Sequence, residues 1–213
     1  MVSVKKVSKV YGAERVLDQV SVSFARGQIH GLIGRNGSGK TMLLKCICGL
    51  TPVTEGVIRV GGKRIGRDVE IPESVGAIIE TPGFLPNYSG YSNLKFLAGI
   101  KGRIGAREVR EAMEFVGLDP DQDKWVSKYS LGMRQRLGIA QAIMENPRLL
   151  ILDEPMNGLD NAGVRDMRRL LKSLRRQGKT ILITSHNPLD INALCDTVCE
   201  MEGGRLRRLE VWK

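Results

Sequence analysis

No stretch of this sequence is long and apolar enough to cross a bilayer as a helix. The longest run free of Asp, Glu, Lys and Arg extends from Thr81 to Leu94 and contains two prolines, two glycines and two asparagines, whereas a spanning helix needs about 20 mostly apolar residues. No secretory leader is expected, because Lys5, Lys6 and Lys9 are followed by alternating rather than continuous apolar residues. Internal repeats and low-complexity segments are absent from the sequence. These absences predict a soluble, cytosolic chain. Cysteine and histidine are scarce, at four and two residues. The pairs Cys46/Cys48 and Cys195/Cys199 lack zinc-ribbon spacing and no histidine cluster accompanies them. They read as small buried hydrophobes in a reducing compartment, ahead of a metal site or a disulfide. What is in excess is positive charge: 33 Lys and Arg against 23 Asp and Glu give a formal +10. That balance favours nucleic acid, anionic lipid or nucleotide without choosing among them. With 42% hydrophobic and 26% charged residues the composition is globular, which excludes a disordered chain. A length of 213 residues suits one large domain or one domain carrying an insertion.

Along the chain, Val2 and Val4, then Val16, Val20, Val22 and Phe24, alternate as in short antiparallel strands joined by a turn at Gly12-Ala13. Gln28 to Ile33 reads as a buried strand entering a glycine-rich loop, and Met42 to Cys48 as the helix after it. Val57 to Val60, followed by Gly61-Gly62-Lys63, reads as a hairpin edge. From Ser89 to about Glu145 the pattern is helical, with Glu108, Val109, Ala112, Met113 and Val116 on a 3.6 period and Gly117 as a stop. Leu149 to Leu152 is wholly apolar, as expected of a central parallel strand. Asn161 to Gln177 is an amphipathic helix capped by Gly178, and Thr180 to Thr184 is another buried strand. Its polar face carries Arg165, Arg168, Arg169, Lys172, Arg175 and Arg176, with Lys179 just beyond. This predicts an outward positive stripe, read first as a solvated face, second as a lipid-headgroup contact and last as a nucleic-acid contact. Alternating strands and helices predict an α/β fold with a parallel sheet, N-terminal antiparallel strands and a helical subdomain, roughly 84–145, inserted between two core strands.

Gly34-Arg35-Asn36-Gly37-Ser38-Gly39-Lys40-Thr41 matches the P-loop pattern G-x-x-x-x-G-K-[ST] in full. Its glycines let successive N–H groups curl around phosphate oxygens, and the helix beginning near Gly39 aims its positive end at the same anion. Lys40 would reach the β- and γ-phosphates, and the Thr41 hydroxyl would take Mg2+. A second carboxylate site follows four apolar residues, at Asp153-Glu154-Pro155. Asp153 could hold Mg2+, and Glu154 could deprotonate the attacking water. Hydrolysis of a nucleoside triphosphate is the leading chemistry.

Between these two motifs, Tyr129-Ser130-Leu131-Gly132-Met133 resembles the signature Leu-Ser-Gly-Gly-Gln of ATP-binding cassette (ABC) proteins, keeping Ser130 and Gly132 and departing at Leu131 and Met133. Ser130 is also a good N-cap for a following helix. Asn157-Gly158-Leu159-Asp160 resembles the family's D-loop, with Asp160 as its acidic residue. His186 resembles the switch histidine, and Tyr11 the aromatic residue that stacks on adenine. The resemblance spans nearly the whole chain. Where most cassettes carry the Q-loop glutamine, this chain has Glu80, within Gly76-Ala77-Ile78-Ile79-Glu80-Thr81-Pro82-Gly83. That segment, with the Ser-Leu-Gly-Met signature, is similar to the bacitracin- and lantibiotic-type export ATPases of bacteria.

The resemblance implies an ATPase that uses ATP and Mg2+, with Glu80 as a further candidate metal contact. It implies two copies pairing head to tail, so that Ser130 and Gly132 of one chain face the phosphate loop of the other. It also implies a separate membrane permease contacted around Glu80 to Tyr91 and the next helix, a cytoplasmic location on the inner face of the membrane, and no C-terminal regulatory domain. Peptide export follows by family analogy. The alternative is a non-transport ABC ATPase acting on ribosomes or nucleic acid. The fused second cassette and the long coiled coil typical of those members are missing here.

Overall fold

The computed structural model describes residues 1–80 and 82–209. Two sheets organise it. β1 (Val2–Tyr11) and β2 (Glu14–Phe24) form a hairpin whose register runs from Val2 opposite Phe24 to Tyr11 opposite Glu14. The two-residue connection places Gly12 at φ 56, in the left-handed region that such a tight turn requires. β4 (Glu55–Val60) and β5 (Lys63–Arg64) complete a four-stranded antiparallel sheet in the order β2-β1-β4-β5.

The second sheet holds β3 (Ile29–Ile33), β6 (Val75–Ile78), β7 (Leu149–Leu152), β8 (Thr180–Thr184), β9 (Thr197–Glu202) and β10 (Arg205–Leu209). Its order is β10-β9-β3-β8-β7-β6, with every pairing parallel except β10 on β9. The unbroken apolar runs are explained by layers on both faces. Leu149 and Ile151 of β7, with Leu32 and Leu182, join the core shared with the antiparallel sheet. Leu150 and Leu152, with Ile181 and Ile183, join the core shared with the helices. Each fully buried side chain of this kind contributes roughly 1.5–3 kcal/mol.

Helix α1 (Lys40–Ile47) follows β3. Between β6 and β7 the chain leaves the sheet to form α2 (Gly90–Lys101), α3 (Ala106–Phe115) and α4 (Leu131–Ile143). Ser89 caps α2 by accepting from Ser92 N, and Glu108 Oε2 accepts the Gly105 N–H at the start of α3. The expected helical stretch is interrupted over residues 116–130, where only a 3₁₀ turn, Val126–Lys128, is helical. Gly117, at φ 74, and Pro120 explain the break.

Helix α5 (Asn161–Arg176) packs Met167, Leu171 and Leu174 inward, and Gly178 follows it at φ 81. Its basic face is not a free stripe. Arg168 pairs with Asp190, Arg175 with Asp196, and Arg169 with Asp166. Arg165, Lys172 and Arg176 are the cations of α5 left without an ion pair among the described residues. Asp190 belongs to the short α6 (Pro188–Leu194), which connects β8 to β9. Asp190 and Asp196 are distant in sequence from α5, so helical periodicity could not reveal those two pairs, whereas Asp166 and Arg169 are an i,i+3 pair within the helix.

All four cysteines are buried thiols. Burial pushes Cys48 and Cys195 up to about 12 and Cys46 up to about 11. His30 is buried in β3, with Nδ1 2.7 Å from Thr197 Oγ1 and Nε2 3.0 Å from the Ala25 carbonyl. Desolvation lowers its pKa below the ordinary histidine value.

Candidate active site

Four adjacent parallel strands end on one rim, and each delivers a site segment there. β3 leads to Gly34, β6 to Glu80, β7 to Asp153 and Glu154, and β8 to His186. Ligand sites of open α/β sheets lie at such carboxyl ends.

The phosphate loop wraps from Gly34 into α1. A Cβ on Gly34 would lie 2.3 Å from the Met201 carbonyl oxygen, so only glycine passes here. Gly39, at φ 103, is the N-cap of α1, and no side chain caps that helix. Its first-turn amides are thus left for an anion. Lys40 Nζ donates to Gly34 O at 2.7 Å and Arg35 O at 3.1 Å. Those loop carbonyls occupy the ammonium that a phosphate would otherwise claim. Ser38 Oγ is buried and has no hydrogen-bond partner among the described residues.

The carboxylates form one connected network. Thr41 Oγ1 donates to Asp153 Oδ2 at 2.7 Å. Thr184 Oγ1 donates to Asp153 Oδ1 at 2.6 Å and accepts the Glu154 N–H at 2.8 Å. Glu154 sits at φ 49, an unusual conformation for a non-glycine residue. Its Oε2 lies 3.0 Å from His186 Nδ1, so that nitrogen carries the donated proton. Thr184 is fully buried. It escapes sequence reading because a threonine ending an apolar strand is an ordinary strand residue; its only signal is the polar break before Ser185-His186.

A cavity of about 660 Å³ lies between these groups. Asn36 to Met42, Glu80, Asp153 and Glu154 line it, together with Gln135 of α4, Asn157 of the D-loop-like segment, and Glu14 and Val16, which no site motif includes. Glu80 is at φ 63, and its carboxylate accepts from Lys45 Nζ of α1 at 2.7 Å. The hydrogen bond from Lys45 to Glu80 raises the pKa of that ammonium. Tyr11 stands outside the lining residues. Its ring lies under Lys9 Nζ, 4.6 Å from the centroid, and its hydroxyl is 3.9 Å from Met42 Sδ beside the loop.

Ser130 does not face this cavity either. Its Oγ caps α4 by accepting Met133 N–H at 3.2 Å. Leu131 and Gln135 line the cavity, whereas Ser130 and Gly132 do not. Asp160 caps α5, with Oδ1 2.7 Å from Gly163 N. The loop amides, Lys40 and the orphaned Ser38 hydroxyl fit a polyphosphate, and the Thr41 and Asp153 oxygens fit a hard divalent cation.

The ABC transporter family model matches residues 17–157. An uncharacterized ABC transporter ATP-binding protein, YybJ of Bacillus subtilis, is 45% identical over 210 residues, covering 99% of this chain and 96% of that protein. The bacitracin transport ATP-binding protein BcrA of Enterococcus faecalis is 42% identical over 97% of this chain and 68% of its own length. The lantibiotic transport ATP-binding protein SrtF of Streptococcus pyogenes is 35% identical over 97% of this chain and 89% of its own. Among solved structures, a dimeric post-hydrolysis state of the ATP-binding cassette MJ0796 bound to ADP and Pi superposes with TM-score 0.88 at 21% identity, covering 100% of both chains. The cbiO1 protein of Clostridium perfringens, part of the ABC transporter complex cbiONQ, superposes with TM-score 0.86 at 28% identity, over 97% of this chain and 86% of that one. The chain belongs to the ABC transporter family. Within it, the chain is an ATP-binding subunit with ATPase chemistry, and no helix among the described residues is long and apolar enough to cross a membrane.

Proposed function

We propose that this chain drives export of a peptide through a separate permease, using ATP held between two copies that meet head to tail. The observation that carries the catalytic part is the unbroken network from Thr41 through Asp153 and Thr184 to Glu154 and His186. The loop amides of residues 34–41 and Lys40 hold the triphosphate tail. Thr41 and Asp153, with Glu80 lining the same cavity, are the residues that would hold Mg2+, which when bound supplies positive charge to that tail. Glu154 takes the proton from the attacking water, whose oxygen bonds to the γ-phosphorus as the bond to the β-phosphate oxygen breaks. His186 orients the Glu154 carboxylate through Nδ1 and presents its other ring nitrogen to the departing phosphate.

Ser130 and Gly132 turn away from the cavity of their own chain, which supports their use on the loop of a second copy. Tyr11, beside Met42 at the loop's margin, is the surface on which adenine stacks. Leu85, Tyr88, Phe96 and Ile100 are exposed apolar side chains following Glu80, where the permease contact is placed. The peptide substrate is supported by the bacitracin and lantibiotic transport named for the relatives.

The test is Glu154→Gln beside Lys40→Ala. Glu154→Gln should keep nucleotide affinity and lose about 10²–10⁴-fold in turnover. Lys40→Ala should weaken nucleotide binding itself. Near-normal hydrolysis in Glu154→Gln would reject Glu154 as the base. Recovery of a permease with the chain from native membranes tests the transport half, and its peptide-stimulated ATPase tests the cargo.

A further inference from the structure

We propose that Arg168 is a positioning residue for His186, acting through Asp190. The inference rests on reading Glu154 and His186 as the catalytic pair. The Asp190 carboxylate is 6% exposed, and its Oδ1 lies 2.5 Å from Arg168 Nη2. A carboxylate buried that far needs a cation, and removing the cation alone is strongly unfavourable. Asp190 lies in the first turn of α6, and only Asn187, the N-cap of that helix, and Pro188 and Leu189 separate it from His186.

The far end of α6 is tethered from the same helix. Arg175 Nη2 is 2.7 Å from Asp196 Oδ1, and Asp196 Oδ2 accepts the Ile29 N–H at 2.9 Å. Arg168 and Arg175 are seven residues apart, two turns of one helix face. α5 thus clamps both ends of α6. His186 hangs between that clamp and the Thr184 anchor at the end of β8. Its own side chain is 58% exposed and borders a cavity of about 610 Å³ that Glu154, Arg168 and Asp190 also line. Packing therefore leaves the ring loosely held, and its backbone anchors decide whether Nδ1 reaches Glu154. Arg168 Nε has no acceptor among the described residues, so Asp190 is the partner that commits this guanidinium.

The chain has two histidines, which makes the test spectroscopic. In the full-length protein labelled with 15N, Glu154→Gln should shift the His186 ring nitrogens, because it changes the acceptor at Nδ1. In the Arg168→Met background the same substitution should shift them little, while His30, buried in β3, reports an unchanged fold. Arg168→Lys should restore the response. Turnover in Arg168→Met should fall about 10–100-fold, as for a misplaced catalytic group, with nucleotide affinity unchanged. Should Arg168→Met fail to fold, Arg168→Met with Asp190→Asn removes the buried charge, and the same loss of response is expected. An equal His186 response with and without Arg168 overturns the proposal, as does a joint loss of nucleotide affinity and of the His30 signature that persists in the double variant. No response in the parent chain would reject the Glu154–His186 pair itself, and this inference with it.

Discussion

Replacing Thr184 with valine keeps the volume and strand preference of a fully buried side chain and removes only its hydroxyl. That hydroxyl serves two residues: it donates to Asp153 Oδ1 at 2.6 Å and accepts the Glu154 N–H at 2.8 Å. A hydrogen bond to a charged group contributes about 1.5–3 kcal/mol, and a buried donor left unpaired costs about 1–3 kcal/mol. Against this, Glu154 is freed from φ 49, a left-handed conformation that costs a non-glycine about 1–2 kcal/mol. The net loss falls between about 0.5 and 5 kcal/mol, centred on about 2–3 kcal/mol. For a chain of this size that lowers the melting temperature by about 4–12 °C. The same relaxation carries the Glu154 carboxylate away from His186, so turnover should fall about 100-fold. Nucleotide affinity should hold, since Lys40 and the loop amides are untouched. Urea unfolding, an ATPase assay and nucleotide titration read the three quantities, with Thr184→Ser as the control that keeps both hydrogen bonds. A stability change under about 0.5 kcal/mol, or unchanged turnover, would refute this account of the carboxylate network.

Two further predictions concern groups outside the cavity. Burial lowers the His30 pKa, so the folded protein resists a proton that the unfolded chain accepts below about pH 6.5. The stability due to neutral His30 is complete above that pH and declines as pH falls toward the folded value. A His30 ring still neutral by NMR where an exposed histidine is half-charged would agree, and an unshifted titration would not. The cysteine thiols, held near 11 to 12 at Cys46, Cys48 and Cys195, should resist a disulfide-exchange reagent at pH 8 in the native protein and react once it is unfolded. Prompt native labelling would contradict their burial.

The sequence made the rim of the site legible because each chemical group there terminates a recognisable local pattern. The apolar run to Ile33 announces the phosphate loop, and Leu149 to Leu152 announces Asp153 and Glu154. The antiparallel hairpin was equally local, since alternation and Gly12 define it. What escaped is long-range. Lys45 and Glu80 are 35 residues apart, and nothing in either segment signals their ion pair. The α5 cations looked like a solvated stripe because Asp190 and Asp196, which neutralise two of them, lie beyond β8. Residues 116–130 kept some apolar spacing but carry Gly117 and Pro120, and backbone geometry overrode the pattern. Tyr11 shows the same limit. Its type suggested an aromatic platform, whereas its place beside Met42 depends on how helix α1 packs next to the end of β1.

The central claim is that one chain supplies only part of the catalytic site and a second copy completes it. Sedimentation of the Glu154→Gln protein with Mg2+ and ATP measures this directly, because binding is retained while hydrolysis no longer reopens the pair. The account predicts conversion from monomer to dimer with two nucleotides held per dimer, abolished by Lys40→Ala. Saturation with nucleotide at a mass that stays monomeric would contradict it.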